Sequence, residues 1–235
     1  MRQLPIIMTN ESVRAILAGK KTQTRRVMKT FPDVQCIKLH QHGDEWLESW
    51  SAHHIPCYRS NAWMRHKSPY RKDDLLWVRE AWMYWNWTED GDPWIKYAAD
   101  GTKRLCRIPD SGDSFWEMEV SEKIGDVWAK LSDRDNFQKH GAARDNSSRN
   151  PIFMFKHFAR IWLEVTDVRV EQVQDITEAD AIAEGALHGV DASWDGNGAY
   201  AQGRYQFLWD MLNAKRGYPW KDNPWVWVYE FRRVG

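Results

Sequence analysis

The chain has 235 residues, 43% hydrophobic and 14% aromatic, with 33 basic and 33 acidic side chains and hence no formal net charge. That is too apolar for a disordered chain, and the length suits one large domain, or a small one carrying insertions, with a sizeable core. Neutrality argues against sequence-independent duplex binding, which needs a basic surface to neutralise phosphates, but it suits a nucleoside or a short single strand. Three cysteines, Cys36, Cys57 and Cys106, without CxxC spacing do not make a disulfide framework. Residues 1–5 lack an apolar signal region and no stretch approaches membrane-spanning length. A soluble, cytoplasmic protein is expected, with no membrane association and no evident obligate protein partner.

Residues 4–8 form an apolar run that suits a buried strand. A helix follows. Asn10 can cap it, Glu11 complements its positive end, and Val13, Ile16 and Leu17 share one apolar face. Gly19 fits the left-handed residue that ends such a helix. The cationic run Gly19-Lys20-Lys21-Thr22-Gln23-Thr24-Arg25-Arg26 is therefore delivered at the exit of a packed helix. Residues 75–78 read as a second strand, closed by Arg79 and Glu80. In residues 161–173, Ile161, Leu163 and Val165 share one parity while Val168 and Val170 share the other, so a bulge is expected near Asp167.

A helix is expected over residues 177–184, with Thr177 capping, Glu178 and Asp180 in the first turn and Gly185 past the end. Another is expected over 206–214, with Tyr205, Leu208, Trp209 and Leu212 on one face and Gly217 as the stop. Trp225, Trp227, Tyr229 and Phe231 alternate with Val226, Val228 and Glu230 in a final strand. Residues 28–71 and 84–149 carry little periodicity and read as insertions, with 131–150 as a mobile surface loop. Scattered strands with few helices indicate an α+β mixed barrel and not a βαβ repeat.

The cationic run is where chemistry concentrates; as a bare run it also reads as a solvated basic turn. Thr24 offers a nucleophilic hydroxyl, and Lys21 can act as its base if burial or the neighbouring Lys20, Arg25 and Arg26 depress its proton affinity. A regular strand would point Lys21 and Thr24 to opposite faces, so the chain must turn or bulge between them, and Thr22 is the fallback hydroxyl. Arg79 can grip a carbonyl or phosphate bidentately, with Glu80 beside it, although such a pair is equally an ordinary ion pair. Trp77 and Trp82 flank that pair and can stack on a base or simply pack in a core. Cys36, His40, His42, His53, His54 and Cys57 crowd one insertion and could close a zinc site, but their spacings match no common finger.

The pattern Gly19-x-Lys21-x-x-Thr24-x-Arg26 resembles the signature of the ASCH domain, a β-barrel superfamily related to PUA RNA-binding domains. Three further blocks are similar to longer ASCH proteins of phages and prophages: Asp74-Leu75-Leu76-Trp77-Val78-Arg79-Glu80, Asn150-Pro151-Ile152-Phe153-Met154 and Asn223-Pro224-Trp225-Val226-Trp227. The resemblance implies one PUA-like β-barrel domain over residues 1–235, with rim helices and the two long insertions. In the bacterial N(4)-acetylcytidine amidohydrolases of that superfamily, the matching lysine and threonine form a triad with a later glutamate, here Glu184. Glu184 falls in the last turn of its helix, where the negative end of the dipole disfavours a carboxylate, as suits a general acid or base. The expected function is hydrolysis of an acylated pyrimidine nucleoside, without a cofactor. Thr24 would attack, Lys21 activate it and Glu184 relay protons, while Thr22, Arg26, Trp77, Arg79 and Glu80 bind substrate. A non-catalytic reader of single-stranded RNA or a modified base, and a metal-dependent ribonuclease, are the alternatives the superfamily offers.

Overall fold

The structure, a computed structural model, describes residues 1–29, 38–42, 45–49, 65–88, 92–106, 148–187 and 200–234. The side chains of residues 38–40, 42, 45–49, 65, 87 and 200 are not among them. In chain order the elements are β1 (Gln3–Ile7), α1 (Asn10–Leu17), β2 (Gln23–Val27), β3 (Lys38–His42), β4 (Glu45–Ser49), β5 (Arg65–Lys67) and β6 (Leu75–Arg79). Then come β7 (Trp82–Trp87), β8 (Pro93–Tyr97), β9 (Lys103–Leu105), β10 (Trp162–Gln172), α2 (Glu178–Ala183), α3 (Tyr200–Asn213) and β11 (Trp225–Val234). The protein is thus α+β. It folds as two compact units, the first made of Met1–Ile6, Glu11–Val78 and Arg160–Gly235 and the second of Ile7–Asn10 and Arg79–Ala159.

The first unit is organised by the two longest strands. β10 and β11 pair antiparallel from Trp162↔Val234 to Gln172↔Trp225, with a register shift between Val165 and Asp167. The parity change in the sequence and the bulge in the ladder are the same event, because one extra residue moves the apolar set to the other face. β2 pairs with the free side of β11, Thr24 opposite Tyr229 and Arg25 opposite Val228. The sheet order is β1-β6-β10-β11-β2. Among the described residues its outer strands, β1 and β2, are not bonded to each other, so the sheet is open where a closed barrel was expected. The link between them is α1, a helix that carries the chain from one border of the sheet to the other.

Alternation in β11 sends side chains into two packed layers. Val226 and Val228 are buried with Val173, Ile176, Ala181, Ala201, Tyr205 and Trp209, which belong to or flank α2 and α3. On the other side Tyr229 is fully buried, its ring edge-on to Tyr70 and its hydroxyl 2.9 Å from Ser68 Oγ. The helix expected over 206–214 begins at Tyr200. Tyr205 and Trp209 are buried as read, whereas Leu212 is 47% exposed and joins Phe207 and Met211 on the outer side. Residues 28–71 contain a small sheet, β3-β4-β5, and residues 84–149 share in another, β7-β8-β9. Their Trp, His and Lys content hid that alternation. The proposed mobile loop lies outside the described residues up to position 147.

In the second unit, one face of β7-β8-β9 packs on a short apolar segment. Trp82, Ile95, Tyr97, Cys106, Met154 and Phe158 form its core, and the Tyr97 hydroxyl donates to Phe158 O at 2.7 Å. Asn150 caps the single turn Pro151–Phe153 by accepting from Ile152 N.

Helix ends fix the neighbourhood of Lys21. Thr177 and Asp180 form a reciprocal capping box at the start of α2, and Glu184 is its C-terminal cap. Gly185 follows at φ +79°, and a Cβ there would meet Ala15 Cβ at 3.0 Å and Lys21 Cβ at 3.2 Å. Both conformation and space demand glycine. Gly185→Ala should therefore lower stability by about 1–3 kcal/mol in urea unfolding. A loss under a few tenths would show that neither constraint holds.

Candidate active site

Lys21 lies one residue beyond the turn that ends α1, its amide bonded to Ala15 O, and its side chain runs inward with only 4% exposed. Nζ donates to Glu184 Oε2 at 2.6 Å and to the Glu184 backbone carbonyl at 2.7 Å. The lysine is held at once by a carboxylate and by the negative end of α2. Thr22 N donates to Ala183 O at 2.8 Å, and Thr22 O accepts from Phe231 N at 2.8 Å, so the backbone stitches α2 to β11 through this point. Lys21 and Glu184, separated by most of the chain, are brought into direct contact here.

Around the pair is a charged network that the sequence reading left out. Arg25, with no exposed side-chain surface, contacts Glu171 Oε2 at 2.8 Å, Asp180 Oδ2 at 3.5 Å and Glu184 Oε1 at 3.5 Å. Gln23 accepts from Arg25 and donates to Asp180 Oδ1 at 3.0 Å. Arg169 reaches Asp180 at 2.9 Å and also pairs with Glu171 and Glu230. Arg25 further sits 5.9 Å from the centroid of the Tyr205 ring. Glu184 Oε1, though buried, accepts no hydrogen bond among the described residues; the Arg25 contact is an ion pair without hydrogen-bond geometry.

The electrostatics follow from this packing. Burial pushes the Lys21 ammonium below its ordinary 10.5, and the charges of Arg26 and Arg25 add to that; Glu184 opposes and only partly compensates. Burial also drives the Tyr205 phenol well up, with Glu184 adding to it. For Asp180 burial alone would raise the value, but hydrogen bonds from Gln23 and Thr177 and the Arg25 charge hold the carboxyl below its usual range. A lysine of lowered proton affinity is the kind of base a hydroxyl nucleophile requires.

Thr24 is buried in β2, and alternation puts it on the face of Tyr229, opposite to Gln23 and Arg25. The bulge that would bring it beside Lys21 is absent from β2, whose register with β11 is unbroken. Thr22 shares its parity and is exposed. Arg26 is half-buried opposite Trp227, and Trp77 is buried opposite Trp162 in β6. Trp77 is thus a core residue with 5% exposure and no open ring face for a base. Arg79 and Glu80 belong to the second unit, where Glu80 is fully buried. Of the possible zinc ligands, residues 36, 53, 54 and 57 and the side chains of 40 and 42 lie outside the described residues. Among the described residues no three metal-ligating side chains cluster, and no helix is long and apolar enough to cross a membrane.

Breaking one member of the buried pair should be costly because the other charge stays behind. Lys21→Met should lower stability by about 3–5 kcal/mol, and Lys21→Met with Glu184→Met by less than the two single losses combined. The folded chain binds fewer protons than the unfolded chain between the lowered Lys21 value and 10.5, so this group's contribution grows more favourable as pH rises through that window. Lys21→Met should remove that slope from urea-unfolding series; an unchanged slope would mean the lysine is not perturbed.

Compared with family models, curated proteins and solved structures, the chain matches none.

Proposed function

We propose that the chain is an amidohydrolase of the ASCH, PUA-like type acting on an acylated pyrimidine nucleoside similar to N(4)-acetylcytidine. The observation that supports it most is the buried Lys21–Glu184 pair, with Lys21 of lowered proton affinity and Glu184 holding one carboxylate oxygen without a hydrogen bond. In this reading Lys21, once it has given up a proton, takes the Thr24 hydroxyl proton as Thr24 Oγ attacks the amide carbonyl. The carbon–nitrogen bond then breaks, the amine leaves with a proton passed through Glu184, and water cleaves the resulting ester. Arg25 and Gln23 hold Glu184 and Asp180 in place, and no step calls on a cofactor.

The scheme requires the Thr24 hydroxyl to come round the edge of β2 toward Lys21. Lys21 precedes the strand, so its direction is not bound by the alternation that governs Thr24. That same alternation favours a second reading, a non-catalytic reader of RNA or a modified base, in which Lys21, Arg25 and Glu184 are a rigid charged brace.

Hydrolysis of N(4)-acetylcytidine, assayed with and without chelator, separates the readings. Thr24→Ala should lower kcat/KM by about a hundredfold or more at an unchanged unfolding midpoint, and Thr24→Ser should restore part of it. Chelator should have no effect. Absence of turnover in the wild-type chain, with the nucleoside still bound, would leave the reader. Full turnover in Thr24→Ala would transfer the nucleophile's role to another hydroxyl, with Thr22 first.

A further inference from the structure

The outward face of the β7-β8-β9 sheet carries a feature that packing does not explain. The β7–β8 register shifts between Tyr84 and Asn86, which leaves Trp85 as the extra residue of a bulge. Bulges re-aim side chains, and here Trp85 is turned outward with 36% of its surface exposed, while Trp82 and Tyr84 pack inward. Two ammonium groups converge on its ring: Lys103 Nζ lies 3.7 Å and Lys96 Nζ 4.8 Å from the centroid.

Those lysines are direct cross-strand partners in β8 and β9. Like charges directly opposite each other destabilise a sheet, and neither lysine has a carboxylate within ion-pair distance among the described residues. The Trp85 ring offsets part of that repulsion through its negative face. Trp94 has the parity of Lys96 and is half-exposed, which adds a second ring to the same face. An aromatic turned outward by a bulge, beside two cations with no counter-charge among the described residues, is complementary to a planar ring joined to an anion.

We propose that this face of the second unit binds single-stranded nucleic acid, with a base stacked on Trp85 and the adjoining phosphates held by Lys96 and Lys103. An incoming base displaces Lys103 from the ring. It exchanges an exposed cation–π contact for the stronger base–aromatic stack, and the released ammonium turns to a phosphate. Two cations give a modest footprint, in keeping with a neutral chain that does not grip duplexes. An acidic peptide would use the lysines but would leave the Trp85 face unused. The surface is independent of amide hydrolysis and survives its failure.

The test is fluorescence anisotropy of labelled oligo-U and oligo-dT, about a dozen nucleotides long, with the full chain over a salt series. Trp85→Ala should weaken binding roughly tenfold without changing the salt slope, and Trp85→Phe should keep most of the affinity. Lys96→Gln with Lys103→Gln should flatten the slope of log K against log salt by about 1.4, or 0.7 for each phosphate contact. Urea midpoints of all variants identify any that fail to fold, and the Trp85→Phe and lysine variants then decide. No binding by the wild-type chain at low salt would overturn the proposal. So would equal binding by all folded variants, or displacement by poly-glutamate with Trp85→Ala binding like wild type, which would make the face a protein-docking surface.

Discussion

The ion pair between Lys21 and Glu184 is the constraint on which the first unit's geometry turns. A charged pair removed from water forfeits hydration of several kcal/mol per ion, and only close contact with further hydrogen bonds offsets that. Each condition is met by a different element. The end of α1 fixes the lysine's backbone, the carbonyl of the Glu184 cap accepts from its ammonium, and Gly185 leaves room for its stem. Arg25 supplies the second positive charge near the carboxylate. Helix ends, a left-handed glycine and a strand edge are thereby brought into register by one buried contact.

From that contact the charges form a graded series toward solvent. Lys21, Arg25 and Glu184 are buried, Asp180, Glu171 and Arg169 are partly open, and Glu230 is 44% exposed. Cations and anions alternate along the series, so every carboxylate meets a positive group. The interior end has a lowered lysine and an under-bonded carboxylate oxygen, whereas the exterior end is an ordinary surface network. Perturbed and ordinary ionisable groups thus belong to one network and differ in depth. Perturbed groups in a structural network and in a catalytic one look alike at this level, and for that reason Thr24 decides between the readings.

Much of this was legible in the residues. The helix from Thr177 could be read because its cap, first-turn acids and terminal glycine all act locally, and the bulge near Asp167 because side-chain parity is a property of consecutive residues. The convergence of Lys21 with Glu184 rested on a family resemblance and not on local rules. The rest of the network was hidden because it is made across strands: Arg169 and Glu171 share a face with Arg25 and Gln23 only through the β10–β11–β2 register. Period-two spacing of Arg169 and Glu171 was the available signal, and it looks the same for a solvated strand face. The start of α3 was missed because Gly203 and its polar neighbours mask the helical period. The strands in residues 28–71 and 84–149 were missed because they are short and rich in Trp, Lys and His, so binary alternation does not stand out.

β11 lies inside the sheet, between β10 and β2, although it comes last among the strands. Among the described residues β2 therefore has no neighbour for its ladder but residues 225–234, some two hundred positions later in the sequence. Closing a loop over such a distance is slow, because the entropy of closure is lost before the pairing compensates for it. Assembly of the strand that follows Lys21 is therefore a non-local step, completed only when residues 225–234 pair with it.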